Sequence, residues 1–185
     1  VGLEAQNTFE FGAGGSTAII LDALRALTGT RRHASCSTDP KAHTEKRHIK
    51  LHSPFIEWAH IHGLSETLWD VEDPGKVFDF VLHDGSHTDA VVEQDLRWIL
   101  PQVRTFGLVL VHDTQYIRCR DGMCRAVVGA MRACEEEHGM EFSHTTLPYG
   151  AGLTIIRVEH GIPVARMPIR CKDGDPKGFT LPRTL

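Results

Sequence analysis

Two apolar runs that each end in a short polar cluster constrain this chain more than any other feature. Val77 to Leu82 is followed by Asp84 and His87, and Leu108 to Val111 by His112 and Asp113, within the stretch FDFVLHDGSHTDAVVEQDLRWILPQVRTFGLVLVHDT from Phe78 to Thr114. Near-continuous apolar runs of this length suit strands buried on both faces, as in a parallel sheet. Between them Ala90, Val91, Val92, Leu96, Ile99 and Leu100 form an apolar face at helical spacing, with Glu93, Gln94, Asp95 and Arg97 expected mainly outside. Thr88 or Asp89 is placed to cap the start of that helix, and Pro101 stands where the pattern ends. Parallel strands need a crossover of this kind. Both polar clusters then fall on the carboxyl edge of one sheet, where open α/β sheets place their ligands.

Upstream, TFEF at residues 8 to 11 passes into GAGGST and then the helix-compatible AIILDALRAL. Strand, Gly-rich turn and helix in that order bring backbone N–H groups and a helix amino terminus toward a ligand. The full GxGxxG fingerprint is absent, and no Lys-Ser or Lys-Thr pair follows, which argues against a nucleoside triphosphate loop. The plainer alternative is a tight turn with Ser16 or Thr17 as a helix cap. The helix should end near Gly29, and Arg32 to Cys36 reads as a second strand ending at Ser37-Thr38-Asp39-Pro40. An acid at that point, Asp39, can accept hydrogen bonds from a ribose, or it can belong to an ordinary Asp-Pro turn.

Residues 41 to 60 are charged and histidine-rich and carry little periodicity, so a third strand is expected only around Ile61 or slightly later. Gly63 to Glu66 precede the helix-like ETLWD, and DPGK at residues 73 to 76 is a turn. Residues 115 to 124 form a polar loop directly after the second acidic cluster. Met123, Ala126, Val127, Ala130, Met131 and Cys134 then repeat at helical spacing up to Gly139. EFSHTTLP and GLTIIRVE read as an antiparallel hairpin at one sheet edge. The expectation is an α/β, Rossmann-like, doubly wound and mostly parallel sheet with an antiparallel edge hairpin, a single domain over residues 1–160. Residues 161–185, rich in proline, glycine and charge, read as an extended arm that could fold over the first half or pair with a neighbouring subunit as a homodimer.

Charge and cysteine content narrow the function. Lys and Arg number 20 against 24 Asp and Glu, a net charge of −4, which argues against non-specific binding to nucleic acid or an acidic membrane surface. No apolar stretch approaches the ~20 residues of a membrane span, and the amino terminus lacks the basic-then-apolar order of a signal peptide. The 5 cysteines form no CxxC pair, which points to a reducing, cytoplasmic setting.

Asp84, His112 and Asp113, at the ends of adjacent parallel strands ~4.8 Å apart, can converge on one cation. Two carboxylates and an imidazole suit Mn²⁺, Fe²⁺, Co²⁺ or Zn²⁺ better than Mg²⁺, whereas two Asp oxygens and water would accept Mg²⁺. The structural alternative is that the two acids cap the following elements. His87, three residues beyond Asp84, could serve as general base, further ligand or cap. No GxSxG elbow is present, and Cys36 has no evident activating partner.

FEFGAGGSTAII resembles the first motif of class I S-adenosylmethionine-dependent methyltransferases. The stretch from Phe78 to Thr114 resembles the DGxH…D…L…GG…HDT signature of the small-molecule O-methyltransferase-like branch, which includes catechol and macrocin O-methyltransferase and cephalosporin hydroxylase relatives. The likeness spans roughly residues 8–158. It implies that Glu10, Gly12, Gly14 and Ser16 surround the methionine part of S-adenosyl-L-methionine, that Asp39 binds the ribose and that Ser65 lies beside the adenine. It implies further that Asp84 touches both the cofactor region and a divalent metal (Mg, Mn or another first-row ion), with His112 and Asp113 as the remaining ligands. Asp84 and His87 are then the catalytic candidates, and the substrate is a small-molecule acceptor methylated on oxygen. A metal-dependent hydrolase, a hydroxylase-like enzyme or a non-catalytic binding protein on the same fold are the alternatives. The sequence departs from the branch at three places. His112 stands where an acid is usual, Phe106 replaces the second glycine before the last parallel strand, and amino-terminal lid helices have no counterpart, a role the arm could take.

Overall fold

The computed structural model describes residues 5–27, 29–38, 55–69, 77–115, 120–148 and 150–162. Seven strands form one sheet in the order β3-β2-β1-β4-β5-β7-β6. They are β1 (Asn7–Phe11), β2 (Arg31–Ser37), β3 (Ile56–His62), β4 (Phe78–His83), β5 (Val103–His112), β6 (Glu141–Leu147) and β7 (Leu153–His160). The first five pair in parallel, while β7 runs antiparallel to both β5 and β6. The expected edge hairpin is present, and this is the Rossmann-like, doubly wound sheet that the sequence pattern implies.

Strand order reverses between β1 and β4. From β1 the chain winds outward to β2 and β3, and from β4 it winds the other way to β5, so the carboxyl ends of β1 and β4 diverge into a crevice. Helices α2 (Asp89–Ile99) and α3 (Arg120–His138) cover one face, and α1 (Gly15–Arg25) packs against the other. Under α2 the rings of Phe9, Phe11, Phe78 and Trp98 meet edge to face at centroid distances of 4.8–5.7 Å. Val92, Leu96 and Ile99 of α2 are fully buried there, and Ala126, Val127, Ala130, Met131 and Cys134 supply the stripe of α3. Burying one large aliphatic or aromatic side chain is worth about 1.5–3 kcal/mol, so this layer fixes the sheet beneath the crevice.

Five local readings need correction. The third strand begins at Ile56, earlier than expected, because its alternation is diluted: as an edge strand it is only half covered along IEWAHIH. The ETLWD segment is a single 3-10 turn over Ser65–Leu68, and α3 begins at Arg120. Thr88 occupies the N-cap of α2 by position but makes no side-chain cap; its N–H donates to Ser86 Oγ at 3.2 Å instead. Asp95, expected on the outer face of α2, is completely buried. Gly139 terminates α3 as expected, at φ +66. Apart from Gly161 and Ile162 the carboxyl-terminal arm lies outside the described residues. Among those residues no helix is long and apolar enough to cross a membrane.

Candidate functional site

The Gly-rich turn is held between the ends of two neighbouring strands. Gly12 N–H donates to the Cys36 carbonyl at 2.8 Å, and Asp84 N–H donates to the Phe11 carbonyl at 2.9 Å. At Gly12, φ is +85, and a Cβ would lie 2.0 Å from the Asp84 carbonyl oxygen, so only glycine permits this approach of β1 to β4. At Gly14 and Gly15 a Cβ would meet nothing within 4 Å; those positions open onto free space.

Glu10 lies beneath the turn. It is fully buried, and its carboxylate accepts the hydroxyls of Ser16 and, at 2.5 Å, Thr17. Thr17 Oγ1 in turn accepts the Gly14 N–H at 2.9 Å. Thr17, at N3 of α1, thus caps the helix start through the N–H of its N-cap residue Gly14, and Glu10 holds both hydroxyls from behind the cavity wall.

Above the turn is a cleft of about 690 Å³, a usual size for a small-molecule site. Its walls come from residues 11–16, from Cys36, Ser37 and Thr38, from residues 63–66, and from Asp84, Gly85, Ser86 and Asp95. Gly12, Gly14, Ser16, Ser65 and Asp84 are thus brought to one cavity. Asp39 lies outside the described residues. Cys36 borders the cleft as a buried thiol, pushed up to about 11 by burial and, secondarily, by the negative charges of Asp95 and Glu66. It stays a neutral packing group at physiological pH.

Next to the cleft the second cluster closes. Asp84, His87 and Asp113 each offer a ligand atom, and these atoms lie within 4.8 Å of one another. His87 Nε2 is 2.9 Å from Asp113 Oδ2, while His112 Nδ1 sits 3.2 Å from Asp84 Oδ1 and 3.1 Å from Asp113 Oδ1. His112 therefore bridges the two carboxylates, and His87 pairs with Asp113. The tightest three-residue group contains His87, while His112 contacts both acids. Asp113 adopts φ +60, a left-handed conformation that aspartate tolerates better than most residues, at the point where β5 turns away.

The loop holding Asp113 is anchored from the hairpin. Thr154 Oγ1 donates to Thr114 Oγ1 at 3.0 Å, Thr146 and Thr154 share a hydroxyl contact at 2.9 Å, and Gln115 N–H donates to the Ala151 carbonyl at 2.7 Å. Sequence reasoning missed this support, as it missed Asp95. Three Thr residues far apart in sequence carry no local signal. The acid of the D…L segment did carry one, but periodicity alone assigned it to the wrong face.

The chain matches the family described as "Methyltransferase domain" over residues 9–114. No curated protein sequence is similar enough to count as a match. Among solved structures it is similar to the O-methyltransferase TomG from Streptomyces achromogenes in complex with SAM, at 19% identity and a TM-score of 0.57, covering 84% of this chain and 74% of that one. It is also similar to an O-methyltransferase from Bacillus cereus in complex with SAH, at 15% identity and a TM-score of 0.58, covering 84% and 75%. The MycE methyltransferase of the mycinamycin pathway, in complex with Mg, SAH and mycinamycin VI, matches at 19% identity and a TM-score of 0.56, covering 85% of this chain and 47% of MycE. These likenesses agree on the fold, and the family match runs unbroken from the Gly-rich turn through both strand-end clusters: the chain belongs to the methyltransferase domain family.

Proposed function

We propose that the protein is an S-adenosylmethionine-dependent methyltransferase that methylates a hydroxyl of a small molecule with the help of a divalent cation. The observation behind this reading is that the Gly-turn cleft and the Asp84, His87 and Asp113 cluster adjoin on one sheet edge and share Asp84. The residues fit both groups. Gly14 and Gly15 leave the cavity side of the turn open, and two carboxylates with imidazoles form a mixed oxygen and nitrogen donor set that suits first-row divalent ions. TomG, solved with SAM, supports the cofactor half of this reading, and MycE, solved with Mg and SAH, supports its pairing with a cation.

S-Adenosylmethionine supplies an electrophilic methyl group on its sulfonium, and a bound divalent cation makes the acceptor hydroxyl more acidic. The chain's own work is placement. The Gly15 N–H and the amino terminus of α1 would receive the methionine carboxylate, with Asp39 for the ribose hydroxyls and Ser65 for the adenine. Asp84, with Asp113 and His112, would hold the cation. His87, oriented through Nε2 by Asp113 at 2.9 Å, accepts the acceptor proton at Nδ1. Methyl transfer needs little covalent help, so alignment of oxygen, methyl and sulfur dominates the rate.

Calorimetric titration with S-adenosylhomocysteine tests the reading directly. Micromolar binding is expected, and a folded protein that takes up neither S-adenosylhomocysteine nor S-adenosylmethionine overturns it. A second measurement separates the two histidines. Mn²⁺ affinity, followed by electron paramagnetic resonance, should fall at least tenfold in His112→Ala and stay within about twofold in His87→Ala. The reverse pattern would move His87 into the ligand set and leave proton acceptance to another group.

A further inference from the structure

Asp95 is a fully buried acid of the cleft wall that the proposed chemistry leaves unused. It projects from the second turn of α2, is completely buried, and reaches two other elements at once. Trp69 Nε1 donates to Asp95 Oδ1 at 2.8 Å, and His83 Nε2 lies 3.0 Å from Asp95 Oδ2. Trp69 closes the 3-10 turn whose residues 63–66 form one wall of the cleft, and His83 directly precedes Asp84 on β4. A buried carboxylate is costly to desolvate unless its oxygens are both engaged, and here each oxygen is engaged by a different wall. His83 is itself fixed by stacking on Phe11, the residue before Gly12, at a centroid distance of 5.0 Å.

We infer that Asp95 is a positioning residue that clamps the wall of residues 63–66 to the end of β4 and so sets the width of the cleft for the nucleoside half of its ligand. This rests on the proposed use of S-adenosylmethionine. The argument is geometric. The 3-10 turn is tied to the body of the fold elsewhere by Leu68, which is buried in the core, and just ahead of it by Gly63, whose N–H donates to the Ser37 carbonyl at 3.1 Å and whose carbonyl accepts from Cys36 Sγ at 3.5 Å. Among the described residues, its first residue and the N-cap before it make only short-range hydrogen bonds, Thr67 Oγ1 to the Leu64 carbonyl at 2.7 Å and Ser65 Oγ to Glu66. Leu64 itself is exposed. The Trp69 indole is the point where this wall is pinned to a rigid helix by a charge-assisted hydrogen bond, and such bonds are stronger than neutral ones. A cleft wall that is already in place loses less freedom on ligand capture than one that must be ordered at that moment.

The test is S-adenosylhomocysteine affinity by calorimetry in wild type, Trp69→Phe, Asp95→Asn and the double variant. Trp69→Phe removes the indole N–H and keeps a smaller aromatic ring in its place, so it is expected to fold even where Asp95→Asn is poorly tolerated. Each single variant should weaken binding about five- to tenfold. Acting through one shared contact, the double variant should lose no more than the worse single variant. A merely structural role would lower the melting temperature and leave the dissociation constant of the folded protein unchanged; that result in Trp69→Phe overturns the inference while the methyltransferase reading stands. Fully additive losses also overturn it, because they would mean the two residues act separately. No binding by the wild type overturns both.

Discussion

The two ends of β4 each carry an aspartate, and they have opposite surroundings. Asp79, at the amino end, is buried, accepts the backbone N–H groups of Gln6 and, at 2.8 Å, Asn7, and pairs with Arg104 Nε at 2.7 Å. Asp84, just past the carboxyl end, has a side chain 38% exposed, meets only His112 at 3.2 Å by ion pairing, and borders the cleft. One carboxylate has its charge and lone pairs taken up inside the chain; the other keeps them available. The same contrast runs through β5. Both of its special residues have positive φ, Phe106 at 66 and Asp113 at 60, but the first sits at the amino edge and the second in the acid cluster. In this fold the amino edge stores stability and the carboxyl edge holds unsatisfied chemistry.

Exchanging the two aspartates for alanine should break that comparison most sharply. Asp84→Ala is expected to abolish metal-dependent turnover, a loss of at least a hundredfold, and to change the melting temperature little because the side chain is partly exposed. Asp79→Ala should do the opposite. Removing the acceptor leaves two backbone donors and Arg104 without their partner, which costs about 3 kcal/mol, while S-adenosylhomocysteine affinity stays within twofold. Thermal unfolding beside calorimetry on both variants checks this, and unchanged metal affinity in Asp84→Ala would remove it from the ligand set.

Phe106 sharpens the comparison at lower cost. Its ring is exposed and rests under the Arg157 guanidinium at 4.9 Å, but its backbone occupies the left-handed region in which a side chain is strained by about 1–2 kcal/mol. The next residue, Gly107, is fixed for a different reason: a Cβ there would lie 2.6 Å from Val103 Cγ1. Phe106→Gly should relieve the strain, forfeit a surface cation-π contact of about 0.5–1 kcal/mol, and come out neutral or stabilising by up to about 1 kcal/mol. A stability loss above 1 kcal/mol would show that the Arg157 contact outweighs the backbone term.

These cases also show what the sequence could disclose. The parallel strands were legible because burial on both faces leaves continuous apolar runs, and the carboxyl-edge clusters followed because each run ends where its acid begins. The substitution at residue 106 was visible as a departure from the family pattern; only the φ angle explains why glycine is usual there. Asp95 was misplaced because a helical wheel ranks a charged residue as exposed, while its burial depends on Trp69 and His83, 26 and 12 residues away. Glu10 was identified as a site residue, but which side of the turn it serves depends on two hydroxyls whose direction no spacing rule supplies. β3 was blurred for the converse reason, since an edge strand with half-covered residues leaves no clean alternation.

The smallest effect is expected at Cys36, which lies in the carboxyl-edge cleft yet behaves like the amino edge. Its thiol is buried, donates weakly to the Gly63 carbonyl at 3.5 Å, and is raised to about 11. A thiol raised in the folded state favours the protonated form, so its contribution to stability is complete below the ordinary value of 9.0 and is lost as pH rises from there through about 11. Cys36→Ser keeps the volume and a donor to the same carbonyl. It should leave S-adenosylhomocysteine affinity unchanged from pH 6 to 8 and flatten the alkaline fall in melting temperature between about pH 9 and 11. A pH-dependent change in affinity below pH 8 would instead make Cys36 part of the site's chemistry, and the carboxyl edge would then hold a third reactive group beside the acids and imidazoles.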